Sequence, residues 1–371
     1  MSKTSRSSAG TAPVSPVLVE TSRALPLVDV VVVLRSGAAH DPAGKEGTAR
    51  IAVRTLRCGT RSLSADDVEL RLDSLGAELG ASVSASSVAF HLQVIRRNLE
   101  PALALLGGLL TRPAFRTVDL ERVRRELLAD LVEARDNDQS LAFRFFRQAL
   151  FAGHAYGRPI GGFSSTVRAV TRGEAEMFHR THFAAPNAVV GFSGDIDAEE
   201  ADRLARKHLL ALPGTTAPRD VVREPTPPRE RRVLVVDKPE RTQTQVLVGT
   251  LGTRADDEDH DALVVANTVF GGTFTARLTN EVRSKRGWSY GASSRLGRDR
   301  HREAWWMWTF PAAKDAAACL GLQLSLFDRW VDKGITRKEL SFAKSYLVKS
   351  HAFEIDTAEK RLEKRIDAAA N

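Results

Sequence analysis

Cysteine is scarce in this chain. Cys58 and Cys319 are the only two in 371 residues; they lie far apart and form no CxxC pair, which excludes a disulfide framework and a cysteine-built metal knuckle. Aromatic residues reach only 6%, and no aromatic–basic module of the kind that reads nucleic acid occurs. No run of about 18 apolar residues is present, so no segment reads as a membrane-spanning helix. The opening MSKTSRSSAGTAPVSPVLVE is polar and small and has no apolar h-region, so it does not read as a secretory signal. Tracts of one charge sign are missing too. The net charge is +8, but acids and bases interleave, as in ERVRRELLADLVEARDND. These absences predict a cytoplasmic protein with no nucleic-acid and no membrane partner. A native start upstream of Met1 would reopen the question of periplasmic export.

What is present is ordinary globular composition, 43% hydrophobic and 27% charged, with length enough for two domains. LPLVDVVVVL reads as a buried strand, GTARIAVRTLRCGT as a helix, SADDVELRLDSLG as a helix capped by Ser64 and stopped by Gly76, and ELGASVSASSVAFHLQVI as a strand pair or one long edge strand. Further helices precede the strand NAVVGFSGDI and a closing helix. Residues 213–230 carry five prolines and read as a linker. After it the order restarts: strands RRVLVVDK and TQVLVGTLG, helix DHDALVVANTVFGG, helix FTARLTNEVRSKRG, strands WSYGASSRL and HREAWWMWTF, then two long helices. The prediction is α+β, two homologous α/β-sandwich domains from a whole-domain duplication. A flexible segment spans 1–23, the first domain 24–215, the linker 216–230 and the second domain 231–371. The second half ends inside a helix, without the strand that closes the first, so it is expected to be truncated.

The helix at 47–60 carries Arg50 and Arg54, which share one face. Taken with LPLVDVVVVLRSGAAHDP, GAELGASVSASSVAFHLQV, HAYGRPIGG, PNAVVGFSGDID and VFGGTFTARLTNEVRSKRGWSYGASSRL, it resembles the insulinase/pitrilysin family of zinc metallopeptidases, in its processing-peptidase-like branch. That family's chemistry uses H-x-x-E-H: two histidines on one helical face bind zinc and the glutamate activates zinc-bound water. In register, the ligand positions hold Arg50 and Arg54, and the base position holds Val53. A guanidinium has no lone pair for a metal, and valine is no base. The family's further glutamate, about eighty residues on, is placed at Glu133, with Glu126 as the other acidic position; Glu133 is expected to pair with Arg50 or Arg54. No metal is therefore expected in this chain.

The resemblance also implies a surviving site. The pattern L-x-x-x-x-R-x-x-x-G-x-x-Y is met by Leu278, Arg283, Gly287 and Tyr290. The family role is to hold substrate and stabilise the oxyanion, so Arg283 and Tyr290 are the candidate catalytic pair, with Gly271 and Gly272 as candidate substrate-backbone contacts. The strand SVSASSVAFHLQV corresponds to the family's peptide-pairing edge, here beside a dead metal site. His91, His154, His179, His182 and His301 form no spaced metal cluster and are expected to be structural. Trp305, Trp306 and Trp308 are expected in core and interface packing. The resulting expectation is a zinc-free subunit whose cofactor sits in a homologous H-x-x-E-H partner, with a short or unfolded peptide as substrate. The alternative is a non-catalytic scaffold similar to respiratory-complex core proteins.

Overall fold

A computed structural model describes residues 17–214, 216–220 and 222–371. The first half runs β1 (Val17–Thr21), β2 (Leu27–Leu34), α1 (Thr48–Leu56), α2 (Ala65–Leu75), β3 (Ala77–Val83), β4 (Val88–Ile95), α3 (Leu99–Thr111), α4 (Thr117–Glu133), α5 (Asp138–Leu150), α6 (Ser164–Ala169), α7 (Arg172–His182), β5 (Ala188–Gly194) and α8 (Ala198–Leu204), which continues as a π-helical turn through Leu209. Its sheet has the order β1-β5-β2-β4-β3. β1 runs parallel to β5 and the other pairs are antiparallel. β2 is central, which explains its nearly unbroken apolar run. Val28, Val30, Val32 and Leu34 face the main core with Phe90, Leu92 and Phe192. The flexible segment expected over 1–23 is corrected here: Val17–Thr21 is a paired strand, and residues 1–16 lie outside the described residues.

The second half runs β6 (Val246–Leu251), α9 (His260–Phe270), α10 (Arg277–Thr279) continued by a π-helical turn Asn280–Ser284, β7 (Ala292–Leu296), β8 (Ala304–Thr309), α11 (Ala316–Lys333), α12 (Arg337–Glu354) and α13 (Ala358–Ala370). Its sheet has three strands, ordered β6-β8-β7. The strand expected at RRVLVVDK is not formed: residues 231–238 pair with no strand among the described residues, and Val233 and Val235 are each 81% exposed. The first half supplies the physical reason. There β5 inserts between β1 and β2, and residues 231–371 hold no counterpart of β5. The segment at β1's position and the edge of β6 therefore have no strand between them, and β-propensity without a ladder partner makes no strand.

Each half lends the other a helix. α5 packs on the second sheet, where Phe143 meets Trp306 at 4.8 Å between ring centroids. Phe146 lies over Gly249; a Cβ there would sit 2.6 Å from the Phe146 ring. α13, the corresponding helix of the second half, packs on the outer face of the first sheet. Leu362 and Ile366 join Val31, Val33 and Val189 in one cluster, and a Cβ on Gly191 would approach them to 2.8 and 2.6 Å. Ion pairs pin the exchange: Arg147 with Glu303 at 2.8 Å, and Arg361 and Arg365 with Glu20 at 3.0 and 2.8 Å. The proline-rich connection is tied down as well, with Asp220 accepting from Arg300 and His301 and Glu224 from Arg302. Trp305 lies in the second core, stacked on Trp330. Cys58 and Cys319 are free and buried. No helix among the described residues is long and apolar enough to cross a membrane.

His182, at the end of α7, is buried beside Phe178 and His40, with ring centroids 4.5 and 5.1 Å away. Its Nδ1 has no hydrogen-bond partner. Burial, with His40 adding to it, pushes the imidazole down to about 4 from an ordinary 6.5. A depressed folded value means the unfolded chain binds the extra proton between these limits. The stability it contributes is complete above pH 6.5 and is lost as pH falls toward 4. His182→Phe should therefore flatten the fall in urea-unfolding free energy between pH 6.5 and 4.5. The slope should change by up to about 1.4 kcal/mol per pH unit, one proton's worth; an unchanged slope would contradict this assignment.

Candidate functional site

The helix expected to be the degenerate metal helix is α1 (Thr48–Leu56). Its N-terminus is set by Gly47 at φ 101, a left-handed conformation that favours glycine. The buried Asp41 carboxylate caps it, accepting from the Gly47 and Ala49 N–H groups at 2.7 and 2.8 Å. Arg50 and Arg54 emerge on one face, as their spacing predicted, and both guanidiniums reach one carboxylate, Asp130 of α4, at 3.3 and 2.9 Å. The expected partner Glu133 is corrected: it lies exposed at the end of α4 and the acid at the site is Asp130. Glu126 pairs instead with Arg122. Asp130 follows Arg50 by 80 residues, within the same spacing of about eighty that Glu133 meets, and it lies one turn nearer the start of α4.

This cluster does not fit zinc. The two former ligand positions present guanidiniums, which are donors only. Val53 is 1% exposed and packed in the main core. Asp130 is already shared between two cations. Burial, then the neighbouring Arg54, lowers the Arg50 pKa, and Asp130 opposes them. The side chains of the cluster keep 33–40% of their exposure, so each ion pair contributes about 1 kcal/mol at most. Among the described residues no three His, Cys, Asp or Glu side chains are grouped to hold a metal.

The Arg283/Tyr290 pair is brought together by a widened helix end. Arg283 lies on the π-helical turn after α10. The chain reverses at Gly287, φ 64, where the Gly287 N–H donates to the Arg283 carbonyl at 3.0 Å and the Trp288 N–H to the Val282 carbonyl at 3.1 Å. Both bonds span one residue more than in a Schellman turn, in keeping with the π geometry. Tyr290 follows just ahead of β7. The Arg283 guanidinium carbon lies 4.3 Å from the Tyr290 ring centroid and 4.2 Å from that of Phe274. Tyr290 is 77% and Phe274 69% exposed. Glu281, the nearby acid, is taken by Lys285 and Arg286, and Arg283 has no ion pair or side-chain hydrogen bond among the described residues. Two rings thus flank a cation that meets no protein acceptor among the described residues. Phe274 escaped the sequence reading. Its signal was an exposed-type aromatic two residues beyond the glycine pair, in GGTF.

Gly271 and Gly272 end α9, and both N–H groups donate to the Asn267 carbonyl at 3.0 and 2.9 Å. A Cβ on Gly271 would lie 2.5 Å from Ser294 Oγ, and one on Gly272 2.9 Å from Thr268 Cα. The chain's own packing therefore accounts for both glycines, Gly271 against β7 and Gly272 against the last turn of α9. Asn267 locks that packing: its side-chain oxygen accepts from Ser294 Oγ at 2.6 Å and from Trp305 Nε1 at 2.8 Å.

Residues 17–163 match the model described as Insulinase (Peptidase family M16), and residues 169–347 match Peptidase M16 inactive domain. An uncharacterised zinc protease of Streptomyces coelicolor is 29% identical over 64% of this chain and 52% of its own length. A Helicobacter pylori protein described as a non-peptidase homolog is 23% identical over 94% of this chain and 80% of its own. The chain spans only about half the length of the Streptomyces relative. The crystal structure of a peptidase M16 inactive domain from Pseudomonas fluorescens superposes with a TM-score of 0.85 at 26% identity, covering 90% of this chain and 81% of that one. With these matches, and with no H-x-x-E-H anywhere in its sequence, the chain belongs to the insulinase (peptidase M16) family and lacks that family's zinc motif.

Proposed function

We propose that this chain is the zinc-free subunit of a heteromeric metallopeptidase and supplies Arg283 and Tyr290 to a homologous partner bearing H-x-x-E-H. The observation that carries this reading is the Arg283 guanidinium, oriented by two exposed rings and left without a protein acceptor. A packing arginine would be expected to find a carboxylate, as Arg277 does with Glu339 at 2.6 Å.

The partner's zinc would supply the activated water. In this chain Arg283 donates N–H groups to the peptide carbonyl oxygen as negative charge develops, and the Tyr290 hydroxyl adds a second donor. Gly271 keeps the segment leading to Phe274 close against β7, and Gly272 keeps it close against the end of α9, so the rings and the guanidinium are set before substrate arrives. An extended, unfolded peptide presents its carbonyls to such donors more readily than a folded chain does. A pure scaffold would have no use for an exposed, oriented and unpaired guanidinium.

The test is reconstitution. Mixing this chain with an H-x-x-E-H relative encoded beside it should give cleavage of a small unstructured peptide that neither protein shows alone. A partner whose activity is complete by itself and unchanged on mixing would overturn the proposal.

A further inference from the structure

A second site lies wholly in the first half. α2, α3 and the start of α7 enclose an open groove of about 1090 Å³, closed at one end by the bridge between Thr60 and Pro113. This exceeds the roughly 300–1,000 Å³ of small-molecule pockets and fits an extended ligand. Five arginines line it, Arg61, Arg71, Arg112, Arg172 and Arg180, against one acid, Glu176. Glu176 is already paired with Arg172 at 2.8 Å. The other four are exposed and have no ion pair or side-chain hydrogen bond among the described residues. The acids Asp66, Asp67 and Asp73 of α2 do not line the groove.

The groove's floor is apolar, formed by Leu63, Leu75, Pro101, Leu105 and Pro113. Its one benzenoid ring, Phe115, is 3% exposed, so no aromatic platform is offered to a nucleobase. Unpaired guanidiniums over an aliphatic floor select carboxylates alternating with apolar side chains. We propose that this groove binds an acidic, extended peptide segment, with its carboxylates on Arg61, Arg71, Arg112 and Arg180 and its apolar side chains on the floor. The site shares no residue with the Arg283/Tyr290 pair and does not depend on the function assigned to that pair.

The probe is a fluorescein-labelled peptide alternating Glu and Leu, read by anisotropy at physiological salt on the full chain. Its controls are the Gln/Leu peptide and an oligothymidylate of equal charge. The acidic peptide should bind best. The triple variant Arg61→Glu, Arg112→Glu, Arg180→Glu should weaken its binding by about tenfold or more, three rim contacts at about 0.5 kcal/mol each. Reversing Arg337, Lys338 and Lys344 to Glu on the other half should leave binding unchanged. The three groove arginines have no ion pair or side-chain hydrogen bond among the described residues, so the variant should keep the wild-type melting temperature; if it does not, the corresponding Arg→Gln triple should give a loss in the same direction. Equal losses from both charge reversals, equal affinity for the Gln/Leu peptide, or tighter binding of the oligothymidylate would each overturn the proposal.

Discussion

Replacing Arg283 by alanine in the assembled heteromer is expected to lower kcat for an unstructured peptide by about 10²–10³-fold. Loss of one oxyanion donor typically raises the barrier by about 2.7–4 kcal/mol. The fold should not register the change, since Arg283 has no ion pair to lose and its stacking on two exposed rings contributes about 0.5–1 kcal/mol. Tyr290→Phe separates ring from hydroxyl. It keeps the surface that holds the guanidinium at 4.3 Å and deletes one neutral donor, so a smaller loss, about threefold to tenfold, is expected. The assay is turnover by the intact complex, with its integrity checked by size-exclusion chromatography. Undiminished turnover in both variants would remove the pair from the reaction.

Leu362→Ala is expected to destabilise the protein by about 2–5 kcal/mol, the range for truncating a buried leucine. Leu362 is 1% exposed and belongs to the second half, yet the contacts it loses are Val31, Val33 and Val189 of the first sheet. The first half should therefore unfold at lower urea because of a substitution more than 160 residues beyond its last strand. Leu70→Ala is the control: Leu70 is 69% exposed, and its loss should stay within about 0.5 kcal/mol. If Leu362→Ala behaves like Leu70→Ala, the exchanged helix is not holding the first sheet.

Local pattern made much of this molecule legible. The nearly unbroken apolar run of β2, the Ser64 capping box of α2 and the glycine-punctuated helix ends are all decided within a few residues. Which helix covers which sheet was not legible, because α5 and α13 are amphipathic in a way that names no partner. The failure at 231–238 has the same root. Arg-Arg-Val-Leu-Val-Val-Asp-Lys has the composition of a strand, but a ladder needs a neighbour that this stretch does not supply. At the site, register identified Arg50, Val53 and Arg54 as a helix face emptied of metal chemistry, and the coordinates added the acid that ties the arginines together. Glu133 was expected and Asp130 was not, because a spacing of about eighty residues fits more than one turn of α4 and does not say which acid faces α1. GGTF showed an aromatic at Phe274 but not its role: stacking on Arg283 depends on the widened turn at residues 280–284, which no short motif announces.

The loss of metal chemistry from α1 can be measured as zinc content per chain. After equilibration with zinc and removal of excess, the isolated protein should retain far less than one equivalent, while its complex with the H-x-x-E-H partner should retain one per heterodimer, removable together with peptide cleavage by a chelator. One equivalent held by the isolated chain would contradict the reading of Arg50, Val53 and Arg54, and with it the assignment of this protein as the subunit that contributes donors rather than metal.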